Sequence, residues 1–301
     1  MQADHYTTRP GPWISEPMRR PETLTKPAFE VPAEACDSHM HVFGPAGRPP
    51  GVAKAKYTLP EGDLADYLGV AKVLGLGRMV LVQASYYGTD NSCILDAAEE
   101  MGSRARLVVF LPDQPERGLI DDLSARGVRG LRLDLFKMQA AGLSNEDVLQ
   151  AIRRAAEVAR AAGWHLELYS PGPYVSALIE RLPDLKVDFS VNHMGYMVFK
   201  DGLSERDFNR FLDVATSERC WVKLSGPYRI NKGGGHEVTD WMGQELVRVA
   251  PDRLVWGTDW PHIPEGSRDT GQELNQLARW CPDPSVRNKI LVDNPARLYG
   301  F

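Results

Sequence analysis

The sequence predicts a single (β/α)8 barrel, the fold also called a TIM barrel, on three observations. The chain has 301 residues, a length at which an α/β barrel commonly forms one domain. Short apolar or β-branched runs recur eight times along it, and stretches with helical spacing lie between them. No glycine-rich phosphate-binding motif follows the first run, which disfavours the alternative of an open, nucleotide-binding sheet.

The eight runs are predicted to be parallel strands because helical stretches separate them. The clearest of these stretches is 145–162, which has apolar residues at helical spacing, Ser144 as a cap and Gly163 as a stop. The predicted strands span residues 35–42, 78–83, 106–110, 128–133, 164–169, 187–192, 221–224 and 254–257.

Residues 1–33 are predicted to form an extended arm that precedes the barrel domain of residues 34–301. This segment contains six prolines and has no helical or alternating period. Such an arm lies on the surface of its own domain or on a partner subunit, so a monomer and a homodimer both stay open.

The composition indicates a small-molecule enzyme, with the cytoplasm as the expected location. The formal net charge is −5, and the sequence lacks the basic cluster that nucleic-acid binding needs. No apolar stretch approaches the roughly 18 residues of a membrane span, and the N-terminal residues lack the apolar core of a signal peptide. The four cysteines have no CxxC spacing, so they are expected to be reduced thiols.

The motif CDSHMHVFGP places His39 and His41 two residues apart at the end of the first predicted strand. Side chains two apart in a strand point to the same side, which here is the barrel interior, near the C-terminal mouth where catalytic groups gather. Two imidazoles at one point can bind a divalent cation or polarise a carbonyl oxygen. Hydrogen-bonded core histidines are the alternative for such a motif.

Two further motifs place acid–base groups at strand ends. His193 closes the sixth predicted strand in NHMG, and Asp259 and His262 follow the eighth in VWGTDWPH. An aspartate at this position of a barrel can take a proton from an attacking water and contact a metal. A lone aspartate before Trp-Pro is more often a turn residue, but the histidines at other strand ends favour a catalytic role.

These motifs resemble the amidohydrolase superfamily, in the amidohydrolase-related branch that contains lactonases and decarboxylases. The resemblance is greatest to lactonases of bacterial aromatic-compound degradation, which open pyrone dicarboxylate or muconolactone-type rings. It extends from residue 36 to the C-terminus and includes the segments KAKYTLP, VLVQASYYGTDN, GVRGLR, GWHLELY, LSGPYR and DNPARLYG.

The resemblance implies hydrolysis of an anionic lactone. Asp259 would be the general base for water, while His39, His41 and His193 would polarise the carbonyl or, together with Asp259, hold a single zinc ion. Guanidinium groups and hydroxyls suit the substrate's acidic groups. The residues implied in substrate binding are Tyr57, Ser85, Arg132, Tyr169, Arg229 and His262.

One departure from the pattern of pyrone dicarboxylate lactonases bears on the substrate, and one departure from the pattern of many amidohydrolases bears on the metal. Lys137-Met138 stands where a Lys-Arg pair is expected, which predicts a different anion, such as a lactone with one carboxylate and one sulfonate. No lysine ends the fourth or fifth predicted strand, which disfavours a binuclear centre bridged by a carboxylated lysine. Glu167, on the same side of its strand as Tyr169, is a candidate for a further ligand or for a residue that orients one.

Three other functions stay open. A metal-dependent decarboxylase or hydratase of the same superfamily would share the histidines and Asp259, but the KAKY and QAS…GTDN segments favour a lactonase. A lactone isomerase would use the same groups. A catalytically silent barrel used for binding or assembly is the alternative from another class, and the intact set of histidines and aspartate argues against it.

Overall fold

The computed structural model describes residues 13–14, 16–44, 57–58, 62–232 and 234–301. Within them, eight parallel strands form one sheet that curves into a nearly closed barrel, which confirms the predicted (β/α)8 fold. Each predicted strand is present, with ends that differ by at most two residues. The strands are β1 (Cys36–Met40), β2 (Arg78–Val82), β3 (Ala105–Val109), β4 (Val128–Asp134), β5 (His165–Tyr169), β6 (Phe189–Val191), β7 (Cys220–Leu224) and β8 (Leu254–Trp256).

Helices follow the strands and cover the outside of the sheet. In chain order they are α1 (Leu64–Leu74), α2 (Ser92–Met101), α3 (Arg117–Ala125), α4 (Leu135–Ala140), α5 (Asn145–Ala162), α6 (Gly172–Leu178), α7 (Glu205–Ala215), α8 (Pro227–Asn231), α9 (Glu237–Val249), α10 (Thr270–Trp280), α11 (Pro284–Asn288) and α12 (Asn294–Tyr299). A π-helical turn at Lys289–Asp293 joins α11 to α12.

Helix α5 has the bounds that the sequence predicts. Ser144 Oγ accepts a hydrogen bond from the backbone N–H of Asp147 at 3.2 Å, and the Asp147 side chain accepts one from the backbone N–H of Ser144. This reciprocal pair satisfies two backbone donors at the start of the helix. Gly163 ends the helix with φ +69°, a left-handed conformation that glycine adopts at little cost.

The apolar core is divided by the sheet into an outer and an inner part. The outer part lies between the strands and the helices and contains most of the buried apolar residues. The inner part fills the barrel with side chains from alternate strand positions, and Tyr299 of α12 packs against them. Its buried members are Cys36, Val80, Val82, Val108, Trp221, Val255 and Tyr299.

Strand β1 carries a bulge that changes which residues point inward. The register with β2 shifts between Asp37 and Met40. Cys36 belongs to the inner core at the start of the strand, whereas Met40 belongs to the outer core at its end. The extra residue therefore lets His39 and His41 point into the barrel while Asp37 points outward toward α1.

The barrel closes between β1 and β8 through a seam of hydrogen bonds instead of a regular ladder. The backbone N–H of Asp259 donates to His39 O at 2.7 Å, and that of His41 donates to Trp260 O at 2.9 Å. The Asp37 carboxylate also crosses the seam, because its Oδ1 accepts from the backbone N–H groups of His39 and Thr258. The segments that carry the predicted catalytic residues are therefore held directly to each other.

The described part of the predicted arm lies against α10 and the loop before it. The backbone N–H of Thr25 donates to Asp269 Oδ1 at 3.0 Å, and that of Ala28 donates to Asn275 Oδ1 at 2.7 Å. Leu24 is buried in the outer core. The boundary at residue 33 between arm and barrel domain stays a prediction.

Two further observations concern the cysteines and the helices. All four cysteines are free, as expected of reduced thiols. Among the helices of the described ranges, none combines the length and the apolar composition needed to cross a membrane.

Candidate active site

Three imidazoles surround one oxygen of Asp259 at the C-terminal mouth of the barrel. Asp259 Oδ1 lies 3.7 Å from His39 Nε2, 3.6 Å from His41 Nε2 and 3.9 Å from His193 Nε2. His39, His193 and Asp259 are almost completely buried, and His41 is the most accessible of the four. The structure thus brings together the four residues that the sequence predicts to be catalytic.

Each histidine is oriented by a contact of its other ring nitrogen. His41 Nδ1 lies 2.7 Å from Val82 O, and His193 Nδ1 lies 2.9 Å from Ser225 Oγ. His39 Nδ1 lies 3.3 Å from Lys223 Nζ. These contacts aim the three Nε2 atoms at the same place.

Local backbone geometry makes room for this arrangement. A Cβ at Gly257 would lie 2.6 Å from His39 Cβ, and a Cβ at Gly226 would lie 2.8 Å from His193 Nδ1, so Gly257 makes room for the chain at His39 and Gly226 for the His193 ring. His193, Asp259 and His262 themselves have φ of +52°, +61° and +62°. Such angles are uncommon for residues with side chains, and they concentrate at functional sites.

The second oxygen of Asp259 is held by two donors. Arg229 Nε lies 2.6 Å and Tyr228 OH lies 2.5 Å from Asp259 Oδ2. Burial alone would raise the pKa of Asp259, but the Arg229 guanidinium outweighs this effect and holds the pKa well below its usual range. Asp259 is therefore an anion with a fixed orientation, and its Oδ1 is left facing the histidines.

A second charged group lies deeper in the barrel, behind His39. Glu167 Oε1 accepts from Arg132 Nη1 at 2.6 Å and from Asn192 Nδ2 at 3.0 Å, and Glu167 Oε2 lies 2.5 Å from Lys223 Nζ. Burial by itself would raise the pKa of Glu167, but Lys223 and Arg132 lower it to about 2. Glu167 points inward, as the sequence predicts, and it pairs with cations.

Two imidazoles of the site, those of His39 and His193, are neutral at physiological pH. Burial lowers the pKa of His193 to about 3, although the Asp259 carboxylate acts in the opposite direction. Burial and the charge of Lys223 hold the pKa of His39 well below its usual range. Neutral imidazoles can donate from one ring nitrogen and accept at the other, which suits both carbonyl polarisation and metal binding.

The predicted substrate-binding residues differ in how directly they contact this centre. The Tyr169 ring lies 5.9 Å from the His193 ring, and the Arg132 guanidinium lies 5.0 Å above the Tyr169 ring. His262 packs edge-on against Tyr228 at 5.7 Å, and its Nε2 lies 2.9 Å from Thr270 Oγ1. Tyr169 therefore contacts a histidine of the centre, Arg132 contacts Tyr169, and His262 contacts the tyrosine that holds Asp259.

Ser85 and Tyr57 are less closely connected to the centre. Ser85 follows β2, and its backbone oxygen accepts from Lys137 Nζ at 2.6 Å, while its buried Oγ has no partner among the described residues. Tyr57 lies in a two-residue strand that pairs with Trp13–Ile14, and its side chain is outside the described part of the structure.

Sequence reasoning missed Lys223 and Tyr228. Lys223 is a single charge within the apolar strand WVKL, which is an unusual place for a lysine unless it is paired. Lys223 could therefore have been identified from the sequence. So could Tyr228, because it directly precedes the predicted Arg229. The pairing of Asn192 with Glu167 depends on the register between β5 and β6 and has no signature in the sequence.

Two histidines and an aspartate of the centre form a group that could hold a metal ion. His39, His193 and Asp259 offer ligand atoms that lie within 4.8 Å of one another, and His41 Nε2 faces the same carboxylate oxygen. Imidazole nitrogens and carboxylate oxygens are common zinc ligands. His39 Nε2 has no hydrogen-bond partner among the described residues.

The amidohydrolase family model matches residues 36–301, so the chain belongs to the amidohydrolase family. This covers the whole barrel and all four residues at the centre. The family named by the resemblance of the sequence motifs is thereby confirmed.

Similar proteins include enzymes named for lactone substrates. The chain is 33% identical over 294 residues to a 4-sulfomuconolactone hydrolase of Rhizobium radiobacter, which covers 94% of this chain and 96% of the relative. It is 30% identical to a 2-pyrone-4,6-dicarboxylate hydrolase of Comamonas testosteroni, with 91% and 93% covered. Among solved structures, a probable 2-pyrone-4,6-dicarboxylic acid hydrolase of Acinetobacter baumannii with citric acid bound superposes with a TM-score of 0.74 at 25% identity, covering 89% of this chain and 100% of that one.

Proposed function

We propose that the protein hydrolyses a small anionic lactone, with Asp259 as the base for the attacking water. The observation that carries this proposal is the geometry at Asp259, where Arg229 and Tyr228 hold Oδ2 and three imidazole Nε2 atoms face Oδ1. The names of the relatives at 30% and 33% identity support the substrate class.

In the proposed reaction, a water molecule at Asp259 Oδ1 gives its proton to the carboxylate as its oxygen bonds to the lactone carbonyl carbon. The carbon–oxygen bond of the ring then breaks, and the ring oxygen leaves as an alkoxide or enolate, which takes back the proton that Asp259 accepted. The products are the ring-opened acid and the regenerated site. Asp259 is suited to this step because it is ionised at neutral pH and points its free oxygen into the site.

Polarisation of the carbonyl is assigned to the histidines. A neutral imidazole that presents an N–H can donate a hydrogen bond to the carbonyl oxygen as negative charge develops there. His39 Nε2 is the leading candidate, because it is buried, faces the centre and has no partner in the described part of the chain.

An excess of positive charge at the site favours an anionic substrate. The ion pairs Arg132–Glu167, Lys223–Glu167 and Arg229–Asp259 surround the centre. They contain three cationic groups and two carboxylates. The sum of these five charges is +1. Buried Arg132 Nε has no partner among the described residues, and it is a donor that a substrate carboxylate or sulfonate can engage.

Zinc is the cofactor that the sequence analysis predicts, and it stays a proposal. His39, His193 and Asp259, with His41 beside them, would hold it. When bound, such an ion supplies Lewis acidity at a carbonyl oxygen and lowers the pKa of a bound water. Metal analysis of the purified protein tests whether zinc is resident.

The proposed activity is tested with a panel of lactones of different charge. We expect turnover of 4-sulfomuconolactone with a kcat/KM of about 10⁴ M⁻¹ s⁻¹ or more, a value typical of enzymes on their own substrates. We expect 2-pyrone-4,6-dicarboxylate to react more slowly, since Met138 replaces an expected arginine, and an uncharged butenolide to react at the blank rate. Mass spectrometry of the product distinguishes addition of water from isomerisation, in which the mass is unchanged. Preference for the uncharged lactone, or no ring opening with any of the three, would contradict the proposal.

A further inference from the structure

We propose that Lys223 fixes His39 in the tautomer that carries its proton on Nε2, which makes His39 a hydrogen-bond donor to the substrate and a weak ligand for zinc. Lys223 is a positioning residue in this proposal, because it acts through His39. The proposal rests on the proposed function in one respect, which is that the His39 N–H donates a hydrogen bond to the lactone substrate.

The surroundings of Lys223 define where its protons point. Its side chain is fully buried inside the barrel. Nζ lies 2.5 Å from Glu167 Oε2, 2.8 Å from Ser38 O and 3.3 Å from His39 Nδ1. An ammonium group has three N–H donors and no acceptor, and the carboxylate and carbonyl oxygens can only accept. Two donors therefore go to the oxygens and the third to His39 Nδ1.

This contact determines the protonation of the His39 ring. Since Nδ1 accepts a hydrogen bond from Lys223, it carries a lone pair, and a neutral imidazole then has its proton on Nε2. His39 Nε2 points to Asp259 Oδ1 at 3.7 Å, beyond hydrogen-bond distance, and has no partner in the described part of the chain. The N–H is therefore available to a substrate oxygen.

His41 has the opposite tautomer for the same kind of reason. Its Nδ1 lies 2.7 Å from Val82 O, a carbonyl that can only accept, so the proton is on Nδ1 and the lone pair on Nε2. A metal needs a lone pair on the coordinating nitrogen of each histidine. His41 already offers one at Nε2, whereas His39 would have to move its proton to Nδ1, directly against the Lys223 ammonium.

Without this lysine, Glu167 would be placed to accept a hydrogen bond from His39 Nδ1. Its Oε1 lies 3.9 Å from His39 Nδ1, close enough to become the acceptor of an Nδ1–H after a small shift. A carboxylate that accepts from the distal nitrogen of a histidine is the usual support of a zinc ligand. Glu167 would keep Arg132 and Asn192 as partners, so it would not be left unpaired.

The first test is nitrogen-15 NMR of the metal-free wild-type protein, whose ring signals differ between nitrogens with and without a proton. His39 is assigned by loss of its signals in His39→Gln, and His41 is the internal control. We expect the proton on Nε2 for His39 and on Nδ1 for His41. A proton on Nδ1 of His39 would overturn the proposal, and this readout is independent of any lactone activity.

The second test compares zinc affinity in wild type, Lys223→Met and the control Lys289→Met, measured by competition with a chromophoric chelator. Lys289 pairs with Asp252 on the surface. We expect Lys223→Met to bind zinc about 10- to 100-fold more tightly, the usual size of effects from residues that support ligands, and Lys289→Met to match wild type. Equal or weaker binding by a Lys223→Met protein with a wild-type circular dichroism spectrum would overturn the proposal. If that variant does not fold, the NMR measurement on the wild type decides alone.

Discussion

Asp259 has different partners on its two carboxylate oxygens, and this asymmetry is the main residue-scale feature of the site. Oδ2 accepts from Arg229 and Tyr228, while Oδ1 faces three imidazoles. Two short hydrogen bonds on one oxygen fix the plane of the carboxylate. The other oxygen can then meet a water molecule without first having to be oriented.

The contribution of this fixed orientation is tested with Tyr228→Phe. We expect kcat to fall about tenfold with little change in KM, because a hydrogen bond to a charged group contributes about 1.5 kcal/mol or more. Steady-state kinetics on the best lactone of the panel measures the change. Tyr174→Phe is the matched control, since Tyr174 is also buried and its OH donates to Leu143 O, in a contact that includes none of the central residues. Equal effects of the two substitutions would contradict the orienting role of Tyr228.

At the residue scale, the sequence predicts the groups whose spacing or strand-end position is characteristic. His39 and His41 are recognised from their period of two, and His193 and Asp259 from the strands that precede them. The role of Lys223 depends on which groups meet it across the barrel, and the positive φ of Asp259 depends on the closed seam. These are tertiary effects that local patterns do not encode.

At the scale of elements, strand β1 is important because of its bulge. The bulge lets Asp37 face the helices while His39 and His41 face the barrel interior. The sequence predicts the strand and the inward direction of His39 and His41, but uninterrupted alternation would also turn Asp37 inward. Instead Asp37 points to α1, where Oδ2 accepts from Tyr67 OH at 2.9 Å and from Thr258 Oγ1 at 2.6 Å. A bulge has no clear signature in this strand, which is why the position of Asp37 was not predictable.

The seam is tested with Asp37→Asn. The amide nitrogen cannot accept, so at least one of the donors that now meet the carboxylate would be left buried without a partner. We expect a loss of about 2–4 kcal/mol in the free energy of unfolding, measured as a lower urea midpoint at an unchanged slope. Asp113→Asn, at an exposed position, is the control. An unchanged midpoint for Asp37→Asn would show that the seam does not depend on this carboxylate.

At the scale of the whole molecule, the barrel separates chemistry from stability. The mouth holds the charged centre, and the opposite part of the interior holds apolar side chains with Tyr299 and His165 in contact at 5.3 Å between rings. The eight-strand count and the order of elements were predictable because each strand and helix has its own apolar period. The path of the arm could not be predicted, because residues 16–33 form contacts with α10 and the loop before it that no local pattern indicates.

The buried His165 gives the whole protein a pH-dependent stability. Burial lowers its pKa to about 4, from an ordinary value of about 6.5. The unfolded chain therefore binds more protons between these two values, and stability falls as the pH drops through this window, by up to about 3 kcal/mol for this residue. In urea unfolding at pH 7 and pH 4, the advantage of wild type over His165→Asn should shrink by about this amount. The exposed His236→Asn is the control; a difference that stays constant for His165→Asn would contradict the assignment.

The central claim is that Asp259 activates the water that opens the lactone, and Asp259→Asn tests it most directly. The measurement is the rate of lactone hydrolysis at pH 7, corrected for the uncatalysed reaction, with circular dichroism to verify the fold. We expect kcat to fall by about 10²- to 10⁴-fold, the range for loss of a general base. A folded Asp259→Asn protein that keeps kcat within tenfold of wild type would contradict the account.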